Sequence, residues 1–145
     1  MHRVANLPLW IGTARDARDI RGVLDAGIEA IVDLAMDEPP VQPTRELVSL
    51  RFPIVDGADN PRWVLRAAVE AVAGLLREGV PTLVACSAGA SRSPAVAAAA
   101  VARWKGLPPE DGLRLIGRGD VSVALWQSIL RGDHVRVEPS SPGSP

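Results

Sequence analysis

The sequence is poor in cysteine and histidine, and it lacks both a long apolar run and a charge excess of either sign. Among its 145 residues stand one cysteine, Cys86, and two histidines, His2 and His134, near opposite ends. A lone cysteine excludes an internal disulfide and suits a reducing compartment, so a cytoplasmic location is expected. The histidines have no metal-ligand spacing with Cys86, so neither metal nor cofactor is expected. No apolar run reaches membrane-spanning length. The opening Met1-His-Arg-Val-Ala-Asn-Leu-Pro8 lacks the apolar core of a secretory signal. A net charge of −1 provides no basic surface for nucleic acid or an anionic membrane, and neither is expected as a partner.

What is present suits an ordinary globular chain. An apolar fraction of 47% beside 23% charged residues permits a real core, with one domain expected over residues 1–137. Residues 138–145 are rich in proline, serine and glycine and are expected to be a disordered tail. No internal repeat is found, and a monomer is expected.

Residues 3–11 read as two short strands interrupted at Asn6 to Pro8, an edge hairpin. Ala14 to Ala26 reads as one helix with Ile20, Val23 and Leu24 on its inner face. Ala30 to Ala35 is a strand. Residues 36–49 hold prolines and acidic residues and read as a loop with a helical turn at Thr44 to Ser49. Leu50 to Val55 is a strand whose Pro53 argues for a sheet edge or a strand end. Asp56 to Asn60 is a turn-rich loop. Pro61 opens a helix to Glu78, with Val64, Leu65, Ala68, Val72, Leu75 and Leu76 inward. Further helices are expected up to about Ile116 and over Val123 to Leu130, with a break at Gly117 to Asp120. Strands alternating with helices predict an α/β fold: a central, mostly parallel sheet of about four or five strands with helices on both faces. The four tryptophans, Trp10, Trp63, Trp104 and Trp126, are expected to pack in or beside the core.

The most informative stretch is residues 80–105. Thr82 to Ala85 is an apolar, β-branched run, as in a buried strand. Ala95 to Lys105 reads as helix, with Pro94 in its first turn. Between them lies Cys86-Ser-Ala-Gly-Ala-Ser-Arg92-Ser93. A strand–loop–helix aims backbone N–H groups and the helix dipole at one point, which makes an anion site. Convergent N–H groups and a guanidinium there would stabilise a Cys86 thiolate. Arg92 would fold back and offer two phosphate oxygens a planar fork. Gly89 frees the backbone where a Cβ would obstruct it. Ser87, Ala88, Gly89, Ala90 and Ser91 would lend N–H groups to a bound phosphate, and Ser93 a hydroxyl to the sulfur. Attack on phosphorus through a phosphocysteine suits this set. Taken alone, a buried cysteine is usually an inert small hydrophobe and Arg92 a surface ion pair, and the loop context argues against both; Ser91 could also be a simple helix cap.

The loop resembles the Cys-x5-Arg-Ser/Thr signature of the protein tyrosine phosphatase superfamily, and the short chain is most similar to its dual-specificity branch. Leu-Trp-Ile-Gly12, a helix, then Ala-Gly-Ile-Glu-Ala-Ile-Val-Asp-Leu34 also resembles the opening of those domains. The resemblance implies the cysteine-dependent phosphatase fold and a metal-independent hydrolase of phosphomonoesters. Substrates would be phosphotyrosine, phosphoserine or phosphothreonine proteins, or small phosphate esters. It also implies a general acid in the loop after strand 50–55. Asp56 fits that place, with Asp59 in reserve; the plainer role for both is to cap turns.

The chain departs from the family at Ala85, where relatives carry a histidine that orients the cysteine and helps keep it ionised. A catalytically weak or inactive phosphate-binding module is therefore the alternative. The loop also lacks the lysines of phosphoinositide-directed relatives. A Cys86–His134 hydrolase would leave Arg92 and the glycine loop without a role, and rhodanese-type sulfur transfer usually has a loop one residue shorter. Redox sensing by Cys86 is compatible with phosphatase chemistry, though no second cysteine would trap the oxidised sulfur.

Overall fold

The computed structural model describes residues 1–42, 44–117 and 120–134. In chain order they form β1 (His2–Arg3), β2 (Leu9–Thr13), α1 (Ala14–Arg18), α2 (Ile20–Asp25), β3 (Ala30–Ala35), β4 (Val48–Ile54) and α3 (Arg62–Arg77). There follow β5 (Thr82–Cys86), α4 (Arg92–Lys105), α5 (Pro109–Ile116) and α6 (Val123–His134). The strands form one sheet in the order β1-β2-β5-β3-β4. Only β1, paired with β2, runs antiparallel. The fold is α/β, with a mostly parallel sheet and helices on both faces, as the alternation of elements predicts.

The placement of β5 follows from its composition. Every residue of Thr82–Cys86 is buried, and the strand lies between β2 and β3. A central parallel strand is covered on both faces and tolerates little but apolar side chains. Its side chains alternate: Leu83 and Ala85 join the core beneath Ala17 and Val23, while Val84 and Cys86 join the larger core beneath α3 and α4. Pro53 lies on β4, an edge strand, in the stretch where the pairing with β3 shifts register, a place that tolerates a missing N–H.

The alanines of α4 let it sit close to its neighbours. Ala95 to Ala102 are all buried, against the sheet and against α3, α5 and α6. The approach to α5 is so tight that a Cβ on Gly112 would stand 2.2 Å from the Ala98 carbonyl oxygen.

Four local expectations need correction. The helix over 14–26 is two short helices. Asp19 leaves helical geometry (φ −81°, ψ 76°), and its carboxylate accepts the Gly22 N–H at 3.1 Å, which starts α2 afresh. Leu24 is consequently 40% exposed rather than inward. Thr44 to Ser49 holds a turn closed by Leu47 N–H on Thr44 O (3.2 Å) and no helix, so β4 begins earlier, at Val48, and ends at Ile54. Finally, α4 begins at Arg92 and α6 runs on to His134. The expected tail at 138–145 and the domain end at 137 lie outside the described residues.

The contact between α4 and α5 generates a prediction. Alanine is the better helix former by about 1 kcal/mol, yet Gly112→Ala should destabilise the fold by about 1–3 kcal/mol, because backbone must move to admit the methyl. Urea unfolding measures this. A gain in stability would mean that the helices do not meet at Gly112.

Candidate active site

The carboxyl end of β5 delivers Cys86 to the start of the 87–91 loop. The residue is 2% exposed, and its Sγ accepts the Gly89 N–H at 3.2 Å. That bond requires the loop to curl back over the sulfur. Gly89 permits the curl with φ +69°; a Cβ there would lie 3.0 Å from the Gly12 carbonyl oxygen of β2. Helix α4 then opens with Arg92 and Ser93 in its first turn, so both functional candidates stand on helix rather than on loop.

Arg92 is 8% exposed, and its Nη1 donates to Ile54 O at the end of β4 (2.9 Å) and to Asp37 Oδ1 (2.7 Å). Burial works against the guanidinium charge. The Asp37 hydrogen bond and the negative charges of a Cys86 thiolate, Asp37 and Asp56 more than offset it and hold Arg92 above its usual range. In return the Arg92 hydrogen bond keeps the Asp37 carboxyl below its ordinary value.

Ser91 stands at the N-cap of α4, but its side chain makes no capping bond. Its Oγ accepts the Ser122 N–H at 2.8 Å and donates to Asp56 Oδ1 at 2.7 Å. An ionised carboxylate can only accept, so the hydroxyl proton points to Asp56 while the oxygen takes the Ser122 N–H. Asp56 thus leans over the cysteine loop rather than capping a turn, and α3 starts at Pro61 without any side-chain cap. Asn60 shapes the Asp56 loop by accepting from Val55 N–H and donating to Val55 O, both at 2.9 Å, and to Gly57 O at 3.2 Å. Asp59 shares that loop and is exposed. Ser93 is fully buried, and its hydroxyl has no hydrogen-bond partner among the described residues.

Several residues that shape the site were not expected from sequence. Asp37 holds Arg92. Glu38 accepts from the Ser87 hydroxyl at 3.0 Å and pairs with Arg18 at 2.9 Å; Arg18 first, then Ser87, keep its carboxyl below the usual range. Arg51 donates to the carbonyls of Ala35 (3.1 Å) and Glu38 (3.3 Å), which fastens the loop that carries both acids. Buried Asp33 accepts from Ala35 N–H and Val41 N–H and closes the same loop from below. The available signal was an Asp-Glu pair directly after a buried strand. Met36, Asp37, Val55, Asp56 and Arg92 line a depression of about 350 Å³ at this point. Trp63, expected to pack, is 72% exposed at the start of α3, while the other three tryptophans lie against the two cores. No group of described residues is placed to hold a metal ion.

Solved structures of dual-specificity phosphatases superpose on this chain over nearly its full length. Human DUSP28 is 24% identical, with 92% of this chain and 96% of that one covered at a TM-score of 0.78. A mouse putative dual specificity phosphatase complexed with zinc tungstate is 26% identical, with 91% and 85% covered at 0.77. The chain has the dual-specificity phosphatase fold. The same fold is found in the human tyrosine phosphatase-like serine/threonine/tyrosine-interacting protein, 19% identical, with 88% and 92% covered at 0.71. No protein-family model matches the sequence, and no curated protein matches it. Among the described residues no helix is long and apolar enough to cross a membrane.

Gly89→Ala tests the loop geometry. A left-handed alanine facing the Gly12 carbonyl should cost about 1–2 kcal/mol, seen as a lower Tm, and should weaken tungstate binding. Unchanged values for both would mean that the loop does not curl over Cys86 as described.

Proposed function

We propose that this chain is a metal-independent phosphatase that hydrolyses phosphomonoesters of proteins or small molecules through a phosphocysteine. The observation that carries this is the Ser91–Asp56 hydrogen bond, which brings a carboxyl over a cysteine loop already closed by a buried arginine. In the first step the Cys86 thiolate attacks phosphorus and the ester P–O bond breaks. Arg92 and the N–H groups of residues 87–91 hold the equatorial oxygens, where charge builds. Asp56 protonates the departing oxygen. Ser91 donates to Oδ1, so the proton to be transferred sits on Oδ2. In the second step ionised Asp56 takes a proton from water, the oxygen attacks phosphorus, and the S–P bond breaks. The unpartnered Ser93 hydroxyl supplies a hydrogen bond to the departing thiolate, and inorganic phosphate leaves.

The mouse protein of the same fold is complexed with zinc tungstate, whose anion is phosphate-like in shape, and this supports an oxyanion ligand for the fold. With a single cysteine and a net charge of −1, we place the protein in the cytoplasm as a monomer that takes phosphorylated protein or small phosphate ester substrates, and not nucleic acid.

A phosphate-binding module without turnover is the alternative, and Ala85 favours it. The residue is fully buried in the core beneath α1 and α2, with alanine where the resemblance implies a histidine. Hydrolysis of an aryl phosphate with chelator present separates the two. Turnover in the wild type and none in Cys86→Ser is expected; turnover that survives the substitution excludes Cys86 as nucleophile. Tungstate binding without turnover in the wild type selects the binding module.

For the acid, Asp56→Asn should slow alkyl phosphates by about 100-fold and good aryl leaving groups much less. An equal loss across leaving groups would remove Asp56 from that role.

A further inference from the structure

We propose that Asp37 is a positioning residue for Arg92, fixing the plane of the guanidinium so that its two-nitrogen edge meets the oxyanion. The inference rests on residues 86–93 being an oxyanion cradle, and it holds whether or not the cradle turns substrate over.

The donors of Arg92 can be accounted for one by one. A guanidinium has five N–H groups, and phosphate recognition is best where two on one edge are used together. Both hydrogen bonds that Arg92 makes among the described residues leave Nη1, to Ile54 O at 2.9 Å and to Asp37 Oδ1 at 2.7 Å. That nitrogen is thereby saturated, and the Nε–Nη2 edge keeps its donors. One bond alone would let the flat group turn about the Nη1–oxygen axis. A second acceptor on the same nitrogen fixes the plane. Ile54 O is a backbone acceptor on a sheet strand and cannot follow the arginine; Asp37 supplies the other point.

The loop that brings Asp37 there is itself fastened. Arg51 holds the carbonyls on either side of Asp37, at Ala35 and Glu38, and Asp33 binds the loop N–H groups of Ala35 and Val41. The Asp37 side chain is 59% exposed while that of Arg92 is 9% exposed, so the carboxylate sits at the rim with the guanidinium below it. A carboxylate beside a phosphate-binding arginine can act in two opposed ways. As a competitor it would occupy the bidentate edge and have to be displaced by substrate. The observed contact is through one oxygen to Nη1, which leaves that edge to the ligand.

The opposed roles give opposite signs for tungstate affinity, measured calorimetrically on the full chain. Positioning predicts that Asp37→Ala weakens binding by about tenfold. Asp37→Asn, which keeps an acceptor oxygen without the charge, should recover most of the loss. Tighter binding in both variants would make Asp37 a competitor and overturn the inference, as would equal affinity in all three proteins. Failure of the unsubstituted chain to bind tungstate would instead bring down the cradle itself, and the inference with it. Asp37 lies in an exposed loop and Ile54 O still holds Arg92, so only a small fall in Tm is expected in either variant. Lost affinity accompanied by a matching loss of Tm would show a merely structural role.

Discussion

A guanidinium buried to 8% exposure must find acceptors from elements that other forces have already fixed. Arg92 finds them on β4 and on the loop after β3, so the start of α4, the end of the edge strand and an acidic loop are tied at one point. The tie is possible because α4 lies in place through its alanines, against the sheet on one side and α5 on the other. Packing thus precedes charge. The close approach of small residues sets the helix, the helix sets Arg92, and Arg92 draws the loops around the sulfur.

The three hydroxyls of the cysteine loop are put to different uses. Ser87 faces the Glu38–Arg18 pair, Ser91 bridges Asp56 and Ser122, and Ser93 is buried without a partner. An unpaired buried hydroxyl costs stability and is usually avoided. Under the proposed mechanism that hydroxyl is free to donate to the Cys86 sulfur when the sulfur departs with charge. The Ser91 hydrogen bond ties the cysteine loop directly to Asp56.

Much of this was legible in the sequence where the determining forces are local. The apolar run before Cys86, the small-residue loop and the alanine helix are set by burial, turn chemistry and helix propensity, so strand, loop and helix could be read directly. Pro53 pointed to a sheet edge or a strand end, and β4 lies at an edge. The break at Asp19 was hidden because the apolar spacing continues through it, while one side-chain bond to Gly22 N–H decides the geometry. Asp37 and Glu38 were hidden for a different reason. Their partners, Arg92 and Ser87, lie 55 and 49 residues away, and no periodicity encodes such a pairing. Ser91 carried two local meanings, backbone donor or helix cap, and only the approach of the Asp56 loop revealed a third.

The central claim is that phosphate passes through Cys86. Acid quenching during turnover of an aryl phosphate, followed by mass spectrometry of the peptide that carries residue 86, tests it directly. Phosphate is expected on the Cys86 sulfur during turnover and none on the Cys86→Ser protein. Release of inorganic phosphate while Cys86 stays unmodified throughout would contradict it.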